Sequence, residues 1–189
     1  MDHYDRKSAP EPCEFSNRRR WMTSVALGLG GLAIVSRESW AAADNGLSHS
    51  AEAIHQEPVF KASPKRIYEA LTDAKQFQKV QLIGGEIAAK DLEAKPAQIS
   101  MEAGGPFSLF GGYIIGRQIE LVPNQRIVEA WREVTWEPGW FSIVRFELNE
   151  QGTGTKVIFD HTGFPAGAGD HLATGWKRNY WDPMGKLLS

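Results

Sequence analysis

Two Asp-His pairs, Asp160-His161 and Asp170-His171, each set an imidazole beside a carboxylate, a combination used both for proton transfer and for metal binding. In Thr155 to His161 the set Val157, Phe159 and His161 alternates with Lys156, Ile158 and Asp160. A strand there sends Asp160 and His161 to opposite faces. Metal ligands must converge, so no metal site is expected. No cofactor is implied either. His161 points inward, where it is either a hydrogen-bonded core residue or a contact for something bound in the interior.

Nucleophilic catalysis finds little support. No Gly-x-Ser-x-Gly elbow occurs, and no histidine stands in an evident relation to serine and aspartate. The single cysteine, Cys13, lies upstream of an apolar run near the N-terminus. The glycine pairs Gly104-Gly105 and Gly111-Gly112 punctuate strands and do not open a helix, so they do not form a phosphate cradle.

The elements that must position these groups follow from periodicity. Ile54 to Phe60 reads as a strand, with Pro58 favouring an edge or strand end. Ser63 is a helix N-cap, Pro64 fits the first helical position, and Ile67 and Leu71 share a face. A second short helix is expected over Ala74 to Val80, with Phe77 and Val80 inward. Beyond it, short runs broken by turn residues predict an antiparallel sheet. Its strands are Gln98 to Ala103, Pro106 to Phe110, Tyr113 to Val122, Arg126 to Thr135, Phe141 to Leu148 and Thr155 to His161.

The chain closes with a helix over Gly169 to Leu188. Leu172, Trp176 and Tyr180 form its apolar stripe, and Leu187 nearly continues the row. Pro183 should kink or loosen it by deleting the bond to the Asn179 carbonyl. The whole predicts an α+β helix-grip fold: a curved antiparallel sheet of about six or seven strands around a long C-terminal helix, with two short helices after the first strand.

Both faces of Arg126 to Thr135 are mixed, which leaves the register around Pro123 open. An even loop groups Ile115, Arg117 and Ile119 with Val128, Ala130 and Arg132, and would bring two arginines to the interior. An odd loop puts Trp131 with the first three instead.

The N-terminus carries a different message. The run Asn17-Arg18-Arg19-Arg20-Trp21-Met22 precedes a glycine-studded apolar stretch ending at Val35, and then Ala41-Ala42-Ala43. That order of basic, apolar and small residues is that of an export signal, and the stretch is too short to span a membrane comfortably. Arg18 and Arg19 resemble the paired arginines of twin-arginine signals, with cleavage after Ala43. The expected organisation is a signal over 1–43, a lead-in over 44–52 and one domain over 53–189. The product would be periplasmic or secreted, with the twin-arginine machinery as a partner and no stable membrane span in the mature form. With a net charge of -2, a nucleic-acid partner is not expected.

Three stretches carry a family resemblance: Ala62-Ser-Pro-Lys-Arg-Ile-Tyr-Glu-Ala-Leu-Thr-Asp73, Ile127-Val-Glu-Ala-Trp-Arg132, and Gly154-Thr-Lys-Val-Ile-Phe-Asp-His-Thr-Gly-Phe-Pro165, the last followed by Gly175-Trp176. Together they resemble the activator-of-heat-shock-ATPase-homologue branch of the START-like (SRPBCC) superfamily. The resemblance implies a hydrophobic cavity between sheet and long helix for a lipid, polyketide, isoprenoid or aromatic ligand, and it favours Trp131 inward.

Cavity candidates are Phe77, Phe110, Ile115, Trp131, Phe146, Phe159, His161, Trp176 and Tyr180. The expected function is binding of a small hydrophobic molecule outside the cytoplasm, without catalysis. The alternative is a cyclase or hydrolase-like activity in which His161, an inward Arg or Glu, and water do acid-base work. A third reading, ATPase activation, would need a cytoplasmic chaperone that an exported protein does not meet.

Overall fold

A computed structural model describes residues 52–189; the signal residues Arg18, Arg19 and Ala43, and nearly all of the lead-in, lie outside the described residues. Helix α1 (Pro64–Thr72) starts where Ser63 Oγ accepts from the Arg66 amide at 3.4 Å, with Pro64 in the first turn. Asp73 ends α1 and caps α2 (Ala74–Gly84), accepting from Gln76 N at 2.9 Å. Helix α2 runs four residues past the expected end at Val80 and stops at Gly85, whose φ of 68° only glycine adopts freely. A short α3 (Ala89–Ala94), absent from the sequence reading, follows with no side-chain cap.

Eight strands form one antiparallel sheet: β1 (Glu52–Gln56), β2 (Val59–Phe60), β3 (Gln98–Ile99), β4 (Pro106–Leu109), β5 (Ile114–Val122), β6 (Arg126–Glu133), β7 (Ser142–Gln151) and β8 (Gly154–Phe164). Their order is β1-β8-β7-β6-β5-β4-β3, with β2 also on β8. The expected first strand is therefore two, divided at Glu57-Pro58, because proline cannot donate to the ladder.

The β5–β6 register resolves the alternatives left by the sequence. Val122 pairs with Arg126, so the loop is odd, which taken alone would set Trp131 opposite Arg117. A bulge between Gln118 and Glu120 absorbs one residue, and Trp131 stands opposite Gly116 instead. Ile114, Gly116 and Gln118 then share the buried face with Ile127, Glu129, Trp131 and Glu133. Ile115 pairs with Arg132 on the other face, so its expected place in the cavity is corrected. Arg117 is exposed and donates to the Gly104 carbonyl at 2.9 Å. Arg132 sits beneath the β6–β7 turn, its guanidinium 5.6 Å from the centre of the Phe141 ring. Arg132 is buried, but on the face of β6 opposite Trp131, and neither arginine reaches the face that packs on the C-terminal helix.

The C-terminal helix grips the concave face. It runs as α4 (Gly169–Trp176), a π turn (Lys177–Trp181) and α5 (Asp182–Leu188), with α-helical backbone at both junctions. Pro183 does not interrupt it. The π turn bonds the Asp182 amide to the Lys177 carbonyl, five residues back, and Pro183 falls in the first turn of α5, where its missing N–H costs little. The buried row becomes Leu172, Trp176, Tyr180, Trp181, Met184 and Leu188, while Leu187 is only partly buried. No helix among the described residues is long and apolar enough to cross a membrane.

Candidate functional site

Trp176 is the centre of the packed interior. Its ring lies 4.1 Å from Tyr180, 4.4 Å from Phe159, 5.6 Å from Trp131 and 5.9 Å from Phe146, between centroids. Its indole N–H donates to His161 Nδ1 at 3.0 Å. That donor makes Nδ1 the acceptor, so Nε2 carries the proton and donates to Ser142 Oγ at 2.7 Å. Ser142 Oγ in turn donates to the Trp131 carbonyl at 2.8 Å. Every group in the chain is satisfied, and burial drives the His161 pKa down to about 3. His161 is thus a neutral core residue with both nitrogens occupied. Asp160 points the other way, held by His55 and Arg145 at 2.7 Å each.

Beside Trp176 a cavity of about 360 Å³ opens between the sheet and the C-terminal helix. Its inner wall is Phe110, Ile114, Trp131, Leu172, Trp176 and Tyr180; toward solvent stand Glu86, Ile87, Tyr113, Glu133, His171, Gly175 and Asn179. Of the nine residues expected there, Phe110, Trp131, Trp176 and Tyr180 line it. Phe77 sits behind them, 5.7 Å from Phe110 and 5.3 Å from Tyr180. Phe146 and Phe159 pack against Trp176 and Trp181 in the core, as does His161 against Trp176.

Local backbone features place the lining. Phe110 has a φ of 51°, unusual for a bulky residue, and its amide is held by Gln81 Oε1 from α2. Gln81 is braced by Gln78, whose Oε1 also accepts from Ala97 N at 2.8 Å. The π turn carries Asn179 and Tyr180; among the described residues Asn179 Oδ1 is buried without a partner, while the Trp131 indole N–H approaches the Tyr180 oxygen. Burial raises the Tyr180 phenol above its ordinary range, so it stays protonated.

Polar groups gather at the outer part of the cavity, and of these the sequence singles out only His171, as half of an Asp-His pair. Glu133, only 8 % exposed, accepts from Tyr113 Oη at 3.1 Å and Thr135 Oγ1 at 3.4 Å, and lies 3.3 Å from His171 Nε2. Alternation anchored on Trp131 reaches Glu133 two residues on, so an inward Trp131 was the available signal. Tyr113 and His171 come from separate elements, and only folding brings them together. The set can exchange a proton between imidazole, carboxylate and phenol beside an otherwise apolar chamber.

A second carboxyl, Glu129, is buried deeper on the same strand face. Burial pushes its pKa up to about 8, against the opposing effect of the adjacent Gln118 amide.

The family model for "Activator of Hsp90 ATPase homolog 1-like protein" matches residues 61–189. The chain belongs to this family. The human activator of 90 kDa heat shock protein ATPase homolog 1 is 25% identical over 124 residues, 66% of this chain and 33% of that protein. The chain thus spans about a third of the length of that relative. Among solved structures, an HSP90 activator from Plasmodium falciparum superposes with a TM-score of 0.61 at 23% identity, covering 72% of this chain and 95% of that one. CalU16 from Micromonospora echinospora gives 0.58 at 21%, covering 74% and 77%. These likenesses establish the helix-grip fold of this family member.

Proposed function

We propose that this member of the family binds a small, largely apolar molecule in the chamber between sheet and C-terminal helix, and acts outside the cytoplasm. The observation that supports this most is the chamber itself. Its volume lies within the ordinary range for small-molecule sites, and its inner walls are aromatic and aliphatic. A core that needed only to be filled would close such a space, because unfilled volume costs stability. The test is native mass spectrometry of the purified protein for a retained ligand, with titration of fluorescent polyaromatics and fatty acids. Binding that Ile87→Trp abolishes supports the reading; no binding by any probe, with no retained mass, overturns it.

Acid-base chemistry in the same chamber is a second reading, favoured by Glu133, His171 and Tyr113 rather than by His161. It requires that a bound molecule be altered over time, which the same mass measurement detects. Activation of a chaperone ATPase is what the names of relatives describe, and it is the weakest of the three here. This chain matches only a third of the human protein, and the export expected from Arg18 and Arg19 separates it from a cytoplasmic partner.

A further inference from the structure

The chamber's charge is one-sided. Two carboxylates, Glu86 and Glu133, are among the lining residues, and among the described residues no lysine or arginine lines it. Glu86 is exposed and already paired with Arg178. Glu133 is different: it is nine-tenths buried, and among the described residues its one potentially cationic partner is His171, whose side chain is 70 % exposed. Its other contacts, Tyr113 Oη and Thr135 Oγ1, are neutral hydroxyls. A carboxylate withdrawn from water in this way is an acceptor for positive charge.

The surrounding surface has the same preference. Phe110, Tyr113, Trp131, Trp176 and Tyr180 contribute five aromatic rings to one lining, and ring faces attract cations. Asn179, also on that lining, carries a buried acceptor, Oδ1, with no partner among the described residues. An ammonium group has three N–H donors and no acceptor, which suits the oxygens of Glu133 and Asn179.

We infer that the chamber selects an organic cation: a protonated amine on an aromatic or other apolar body, with the charge held at Glu133. This rests on the chamber being a ligand site, as proposed above, and sharpens which chemistry it accepts. A carboxylate ligand such as a fatty acid meets Glu133 as a like charge and is disfavoured.

Three probes of one shape separate the possibilities: naphthylethylamine, naphthylethanol and naphthylacetate, titrated into the purified protein by calorimetry. The amine is expected to bind at least about tenfold more tightly than the alcohol, a preference of about 1.4 kcal/mol, with the acetate weakest. Glu133→Gln should abolish the amine's advantage while leaving the alcohol's affinity within about twofold, and Glu133→Asp should retain part of it. Equal binding of amine and alcohol, or equal weakening of both by Glu133→Gln, overturns the cation inference and leaves the chamber as a ligand site. Tighter binding of the acetate overturns it in the same way. If none of the three binds while a polyaromatic or fatty-acid probe does, the cation inference falls and the ligand-site reading stands; if no probe of either set binds and no mass is retained, both fall.

Discussion

Two buried titratable groups, Glu129 on β6 and His161 on β8, respond to pH in opposite senses. Glu129 has its folded pKa raised to about 8 from an ordinary 4.5, so between those values the folded state holds a proton that the unfolded chain has released. Its contribution to stability is fully present below about 4.5 and is lost as pH rises through 8. His161 is depressed to about 3 from 6.5, so between those values the unfolded chain binds the extra proton and stability falls as pH drops through the window. Glu129→Gln keeps the shape and removes the titration. Its unfolding free energy from urea titration is expected to exceed the native protein's increasingly from pH 6 to pH 8, by an amount on the order of a few kcal/mol at the upper end. A difference independent of pH would show that Glu129 is not held neutral. Glu129 and Glu133 escaped the sequence reading because two carboxyls on the core face of β6 made its alternation look mixed. His161 inward was legible, since Val157 and Phe159 precede it at the right period. Its core role depended on Ser142 and Trp176, from other elements, arriving at its two nitrogens.

At the scale of elements, the decisive feature is the one-residue bulge near Ile119. It converts an odd loop into the pairing that turns Trp131 inward opposite a glycine. Gly116 is required there because a Cβ would lie 2.1 Å from the Ala130 carbonyl and 2.2 Å from the Phe107 ring. Gly116→Ala is therefore expected to destabilise by about 1–3 kcal/mol or more through forced displacement of β6 or Phe107, read as a lower urea midpoint. An unchanged midpoint would mean that the strands are further apart than this register sets them. Neither bulge nor pairing was visible in local periodicity, which reports which residues alternate and not where a strand takes up slack. The helix boundaries were easier. Ser63 and Pro64 act through backbone groups within three residues of themselves, so the start of α1 could be read directly, whereas the cap that Asp73 gives α2 appeared only in the structure. The π turn could not be read in that way: the sequence shows Pro183, but the wider turn ahead of it spares the helix from a kink.

For the whole molecule, location and binding are separate questions with separate tests. Replacing Arg18 and Arg19 by lysine keeps the charge and removes the paired guanidinium groups. If the twin-arginine route is used, fractionation should show the variant retained in the cytoplasm while the native chain leaves it. Unchanged export would overturn the proposed route without touching the chamber. The division of labour between chain and fold is physical. By itself the sequence determined the α+β class, the long closing helix, the cap of the first helix and the absence of a local nucleophile motif, because those depend on neighbours within a few residues. Tertiary structure alone decided that Ile114 and not Ile115 faces inward, that His161 is spent on Ser142 and Trp176, and that Glu133 meets Tyr113 and His171 across 20 and 38 residues of chain. A cavity is empty space bounded by separate elements, and no periodicity within one element encodes what the others leave unfilled.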